Sequence, residues 1–282
     1  MKTINNKKFD QERALYASKD LIVDKCKFDG PADGESALKE SKNIIVNNSY
    51  FNLRYPFWHD NKLTINNSEL TPLCRAALWY SKNVEINKSK LYGIKVLREC
   101  SNIVINNSKV DSSEFGWRNK NVTINDSTIK NADYCLFETK TIKLKNTKMQ
   151  GKYSFQYTKD VVIENCVLDT KDAFWHSKNV TVKNSTIKGQ YLAWYSDGLT
   201  LINCKIIGTQ PLCYCKNLKL INCTMEKTDL SFEYSDVEAT IKGNIDSVKN
   251  PKSGYIKADM INKIILEDSI IKSKCIIKEK HH

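Results

Sequence analysis

Three ionisable side chains, Glu99, Arg118 and Glu138, follow one another at intervals of 19 and 20 residues. Two carboxyl groups with a cation between them can cleave a glycosidic bond, one as general acid and the other as base or nucleophile. The same interval governs the aromatic residues. All five tryptophans, Trp58, Trp79, Trp117, Trp175 and Trp194, fall in one series with Arg98, and the next position adds His59, Tyr80, His176 and Tyr195. Indole and phenol rings bordered by Glu, Arg and His suit sugar rings, whose C–H faces stack while their hydroxyls need polar partners. The trio also has a purely structural reading, a ladder in which alternating charges satisfy one another and like charges avoid direct opposition.

Such spacing has chemical meaning only if the elements carrying these residues stack in register. The small residue that follows an Asn, Asp or Lys supplies that register: Cys26, Ser49, Ser68, Ser89, Ser108, Ser127, Thr147, Cys166, Ser185, Cys204 and Cys223, separated by 23, 19, 21, 19, 19, 20 and then 19 throughout. A period this steady marks a solenoid. Inside each repeat apolar residues alternate with polar ones, as Val180, Val182 and Ile187 do around Ser185, so the repeat is built of strands. Asn or Asp recurs six residues before the anchor and Asn directly before it, where the left-handed backbone of a sharp corner is tolerated. Each coil therefore reads as strand, corner, strand, corner, strand. Coils about 4.8 Å apart place the Glu99 and Glu138 backbones about 10 Å from each other. His59 and His176, six coils apart, cannot share a site, and each reads as a surface or stacked histidine.

The column eleven before the anchor is apolar, from Leu38 and Phe57 to Leu212 and Phe232, and faces inward. The tryptophan column after it should then face outward, making an aromatic face.

The peptides "RYPFWH" (54–59), "RAALWYSKN" (75–83), "DAFWHSKNVTV" (172–182), "YLAWYS" (191–196) and "LSFEYSDVEATIKGNIDSVKNPKSG" (230–254), with "GESALKESKN" (34–43) and "PLCYCKNL" (211–218), resemble an uncharacterised bacterial family of pectin-lyase-like right-handed parallel β-helix proteins, a domain of unknown function. The resemblance runs from about residue 9 to about 270. It implies an all-β, single-stranded right-handed parallel β-helix of about eleven to thirteen coils of about 19 residues, and it implies no activity. The paired aspartates and Gly-His-Gly of polygalacturonases are absent, and "RYPFWH" meets only part of the pectate-lyase Arg-x-Pro-x-x-Arg, ending in His59.

A repeat protein grows along one axis and needs no second core, so residues 1–282 are read as a single domain. Residues 1–12 form a lead-in or cap, 13–234 the regular coils, and 235–282 irregular terminal coils closing on His281-His282, read as a tag remnant. No apolar run of secretory or membrane-spanning length occurs, which places the chain in the cytoplasm with no membrane partner. Four of the ten cysteines share the anchor column with Ser and Thr and read as reduced fillers of a small slot. No CxxC pair occurs, and neither metal nor cofactor is expected.

The net charge of +12 points to anionic partners. Its most regular part is Lys19, Lys42, Lys82, Lys120, Lys140, Lys159, Lys178 and Lys216, each seven before its anchor. These lysines form either a solvated edge that discourages strand pairing or a track for a polyanion. Nucleic acid is not favoured, because the lysines lack interleaved aromatics. The leading functional reading is a carbohydrate-binding β-helix, with hydrolysis or elimination near Glu99, Arg118 and Glu138. Its rivals are a non-enzymatic scaffold that dimerises or holds a protein partner through the aromatic face, and a polyanion binder.

Overall fold

The computed structural model of the protein describes residues 1–30 and 35–280; Gly34 of the "GESALKESKN" peptide and His281-His282 lie outside the described residues. The chain is an all-β parallel solenoid of about 14 turns of about 19 residues, and the described residues contain no helix. It divides into two compact units, Met1–Lys148 and Met149–His282.

In the first unit the six residues that end just before the left-handed corner residue, Asn67, Lys88 or Asn107, form the long strand of each coil, as in Asn61–Asn66, Lys82–Asn87 and Ser101–Asn106. They stack in parallel and in register, Leu63 on Val84 on Ile103 and Ile65 on Ile86 on Ile105. A short strand follows each anchor, as in Lys109–Asp111 and Thr128–Lys130. Residues 2–9 already belong to this lattice, with Lys2–Asn5 pairing Lys19–Asp24. The second unit repeats the scheme: Val161 stacks on Val180 and Val180 on Leu199. There the strands Asp236–Ile241, Ser253–Ala258 and Ile276–Glu279 extend the parallel pairing beyond residue 235.

The inward columns at five and three before the anchor and two after it are buried in every coil, as is the apolar column at eleven before. Phenylalanines stack between coils, Phe28 on Phe51 at 4.5 Å and Phe155 on Phe174 at 4.8 Å.

The third side of the coil departs from the expected strand. Among the described residues it is strand at Phe57–Trp58, Leu78–Trp79 and Leu97–Arg98 and again at Val248–Lys249 and Ile264–Ile265; the coils between are mostly turns. From Gly116 onward the residue eleven before the anchor is left-handed, for example Ala193, which breaks the strand, while the residues at thirteen and nine, for example Tyr191 and Tyr195, are left-handed in strand and turn coils alike. These lie outside the Asn corners that were legible as turns.

The anchor column is small because it works as a hydroxyl relay. Each Ser oxygen accepts an amide from the preceding coil, Ser68 N to Ser89 Oγ and Ser89 N to Ser108 Oγ at 3.1 Å, and donates to the carbonyl two residues back in its own coil, Ser89 Oγ to Asn87 O at 2.8 Å. Side-chain amides also bond along the axis, at the corner six before the anchor, as Asn102 to Asn83 and Asn121 to Asn102, directly before the anchor, as Asn203 to Asn184, and in a column two before it that the sequence did not single out, through Asn47, Asn66, Asn87, Asn106 and Asn125.

A second inward polar column, eight before the anchor, escaped the sequence reading: Ser41, Asp60, Ser81, Cys100, Asn119 and Thr139, all buried. Asp60 Oδ1 accepts the Ser41 amide at 2.8 Å, while its Oδ2 is buried with no partner. Burial drives the Asp60 carboxyl well above the usual carboxylate range, and the Ser41 amide opposes this only in part. A folded-state pKa raised above the unfolded value means that the fold holds the proton and loses stability as pH rises through that window. Ser81 solves the same position with a hydroxyl that donates to Phe57 O at 2.7 Å. Asp60→Ser should therefore raise Tm at pH 8 by on the order of 5 °C, with the gain shrinking toward pH 4. Thermal scans at the two pH values check this, and an equal shift at both would count against a titrating Asp60.

Candidate functional site

The corner nine before the anchor carries His59, Tyr80, Glu99, Arg118 and Glu138 in the first unit and Tyr157, His176, Tyr195, Tyr214 and Tyr234 in the second, every one at positive φ. That conformation turns the chain sharply and projects these side chains outward, so Tyr80, Tyr157 and Tyr195 are exposed. The tryptophans one residue earlier are half-buried rather than open. The reason is a repeated bond along the axis. Trp58 Nε1 donates to Ala76 O at 2.6 Å, Trp117 Nε1 to Tyr134 O at 2.8 Å, Trp175 Nε1 to Tyr191 O at 2.7 Å and Trp194 Nε1 to Gln210 O at 2.8 Å. Each of these four indoles thus lies over the next coil and fastens to its left-handed corner, whereas Trp79 Nε1 is buried without a partner. Gln156 imitates the bond with Nε2 to Asp172 O at 3.0 Å.

In the first unit this column is continuous. Trp58 meets Trp79 edge-on at 5.0 Å, the Arg98 guanidinium lies 5.4 Å from the Trp79 ring and 4.5 Å from the Trp117 ring, and Trp117 meets Phe137 at 5.2 Å. Arg98 is fixed from outside by Glu114 at 3.2 Å, leaving it little freedom to bind a ligand. The position of Arg98 among the tryptophans is therefore cation–π packing. On the outer file His59 stacks on Tyr80 at 5.0 Å. Beyond them Arg118 Nε bonds Glu138 Oε2 at 2.7 Å, and this bond with the Glu138 charge raises the Arg118 pKa, Glu99 adding a smaller part. Arg118 and Glu138 are about half exposed. The geometry brings Arg118 and Glu138 together as an open ion pair, with Glu99 near enough to act on Arg118 by its charge alone.

In the second unit the outer file is a stack of rings. Tyr157 and His176 lie 4.9 Å apart at 12°, His176 and Tyr195 5.1 Å at 7°, Tyr195 and Tyr214 4.8 Å at 12°, and Tyr214 and Tyr234 5.9 Å at 45°. Beneath it Trp175 and Trp194 stack at 5.4 Å and 3°. The near-parallel rings turn their faces to one another, and the file presents ring edges to solvent. This corrects the expectation of flat faces open to a sugar. Partial burial, with Glu233 next in effect, raises the Tyr214 phenol pKa, so the phenol keeps its proton and remains a donor. Tyr234 Oη accepts the Ile270 amide at 3.3 Å.

The lysines seven before the anchor are all exposed, but their column is interrupted. Lys42 is followed by Asn61, Lys82 by Ser101, and Lys178 by Asp197; direct lysine pairs occur at Lys19–Lys42, Lys120–Lys140 and Lys159–Lys178. The expected single-signed stripe is thus short runs broken by neutral and acidic residues. All ten cysteines are free, nine of them buried. Among the described residues no cluster of His, Cys, Asp and Glu is arranged to hold a metal, and no helix is long and apolar enough to cross a membrane.

Solved structures with similar architecture share little sequence with the chain. HetL, a pentapeptide repeat protein involved in heterocyst differentiation regulation from the cyanobacterium Nostoc sp. strain PCC 7120, is 10% identical, covering 78% of this chain and 91% of its own, with a TM-score of 0.30. The A-module of the Azotobacter vinelandii mannuronan C-5 epimerase AlgE4 is 9% identical over 97% and 86%, with a TM-score of 0.34. The periplasmic alginate epimerase AlgG is 9% identical over 92% and 76%, with a TM-score of 0.27. No curated protein matches the sequence. One family model does match, over residues 2–278, and the chain belongs to that family, the proteins of unknown function DUF3737.

Proposed function

We propose that the protein is a glycan-binding β-solenoid that holds a linear sugar chain along the ring edges of the second unit, without cleaving it. The observation that carries this reading is the file from Tyr157 to Tyr234, whose rings are preordered at 4.8–5.9 Å. One coil advances by about 4.8 Å, on the scale of one pyranose ring, so successive phenol and imidazole edges meet successive sugars. Stacked rings lose little freedom on binding, which favours recognition by hydrogen bonds. A pectin-lyase-like ancestry, carried by the peptides that resemble that group, belongs to the proposal. So does a cytoplasmic setting, which suits ten unpaired cysteines. The Arg118–Glu138 pair supports binding over catalysis in that the Glu138 carboxylate is already engaged by a cation, which disfavours it as a general acid.

Tyr195→Ala combined with Tyr214→Ala should weaken a responsive glycan by about tenfold or more, while the protein stays folded at the assay temperature because the inward columns are untouched. An oligosaccharide array, followed by titration of tryptophan fluorescence, measures both. An array with no responsive glycan, or a protein whose Tyr195→Glu variant converts a dimer into a monomer in light scattering, would replace this reading with the scaffold one.

A further inference from the structure

A cavity of about 650 Å³ opens on the short strands of the first unit, lined by Pro72, Tyr92, Lys109, Asp111, Thr128 and Lys130. Its wall comes from a break in the period. Ser68 and Ser89 are 21 residues apart, two more than the usual coil, and the extra length forms a tight turn in which Cys74 N bonds Thr71 O at 2.9 Å and Arg75 N bonds Leu73 O at 2.7 Å. Gly93 lets this turn settle against the next coil, since a Cβ there would stand 2.3 Å from Cys74 O.

Neither lysine of the cavity makes an ion pair among the described residues. Lys90, in register with Lys109, is taken by Glu69 at 2.9 Å. Lys109 itself has no ion pair among the described residues. Lys130 stands opposite Asp111 in register, but Asp111 Oδ1 accepts the Asn131 amide at 2.9 Å and no ion pair forms between them. Tyr92, at a position filled by Asp or Lys in the next two coils, stacks on no other ring among the described residues and lines the cavity. A ring face, two unpaired ammonium groups, and the Asp111 carboxylate and Thr128 hydroxyl as hydrogen-bonding groups are gathered in a cavity of ordinary ligand size.

We infer that this cavity binds one residue of an acidic sugar, a hexuronate. Its carboxylate meets Lys109 and Lys130, its C–H face covers Tyr92, and its hydroxyls reach Asp111 and Thr128. The negative Asp111 disfavours a phosphate-rich ligand, which offers it few donors, and favours a polyol.

Calorimetric titration of the whole chain with glucuronate, galacturonate and mannuronate tests this, with glucose, inorganic phosphate and AMP as comparison probes. At least one hexuronate should bind saturably, weaken as salt rises, and lose about tenfold in affinity in Lys109→Met with Lys130→Met, two exposed positions whose replacement leaves Tm in place. Tyr92→Leu should weaken it as well, whereas Tyr195→Ala with Tyr214→Ala should leave it unchanged, separating this cavity from the ring file. No saturable hexuronate binding, unchanged affinity in the double lysine variant, or equal binding of inorganic phosphate or AMP would overturn the inference.

Discussion

Phe174→Ala should cost about 3–5 kcal/mol of stability and lower Tm by on the order of 10 °C. Phe174 is fully buried, stacks on Phe155, and is followed in the same inward column by Ala193. A second alanine beside Ala193 would leave adjoining voids in a core one layer thick. In a solenoid each coil contacts only its neighbours, so the surrounding structure has little capacity to close a gap. Urea unfolding read by far-ultraviolet circular dichroism measures the loss; a midpoint within error of the parent would mean that the coils collapse around the missing ring. Trp175, the next residue, makes the change visible as a red shift in tryptophan emission.

Gly208→Ala should be comparably damaging, for a backbone reason. Gly208 sits at φ +132°, and a Cβ built there lies 2.2 Å from the carbonyl oxygen of Gly189 in the preceding coil. Either the coils separate or the peptide rotates. Both movements displace Gln210, whose carbonyl holds the Trp194 indole, so the variant should lose stability and the proposed glycan response together. Gly243→Ala provides the contrast: its φ is +78° but nothing lies within 4 Å of the added carbon, and it should cost only the conformational penalty, about 1 kcal/mol. Equal Tm values for the two variants would show that strain, not the approach of the coils, governs Gly208.

What the sequence by itself determined is the lattice. Register is a one-dimensional property: a column that must be apolar in every coil, such as Val84, Ile103 and Val122, is visible as a period, and so is the Ser column, because a larger residue would not fit the hydroxyl relay. The same reasoning placed Trp58, Trp79, Trp117, Trp175 and Trp194 in one file and Glu99, Arg118 and Glu138 in the next. The direction in which rings turn within a file was decided only by the tertiary structure. Alternation gives a side chain its inward or outward sense, but ring orientation depends on where the next coil offers a carbonyl, and Ala76, Tyr134, Tyr191 and Gln210 offer theirs from left-handed corners that no Asn or Gly announces. That is why the indoles lie over neighbouring coils and the tyrosines show edges. Partner choice is equally nonlocal. Whether Glu138 joins Arg118, or Asp111 takes the Asn131 amide and leaves Lys130 without an ion pair, turns on side-chain reach between coils. The cavity beside Tyr92 combines both kinds of cause: its two-residue excess is plain in the spacing of Ser68 and Ser89, while the place where that excess packs follows from the close approach of Cys74 to Gly93.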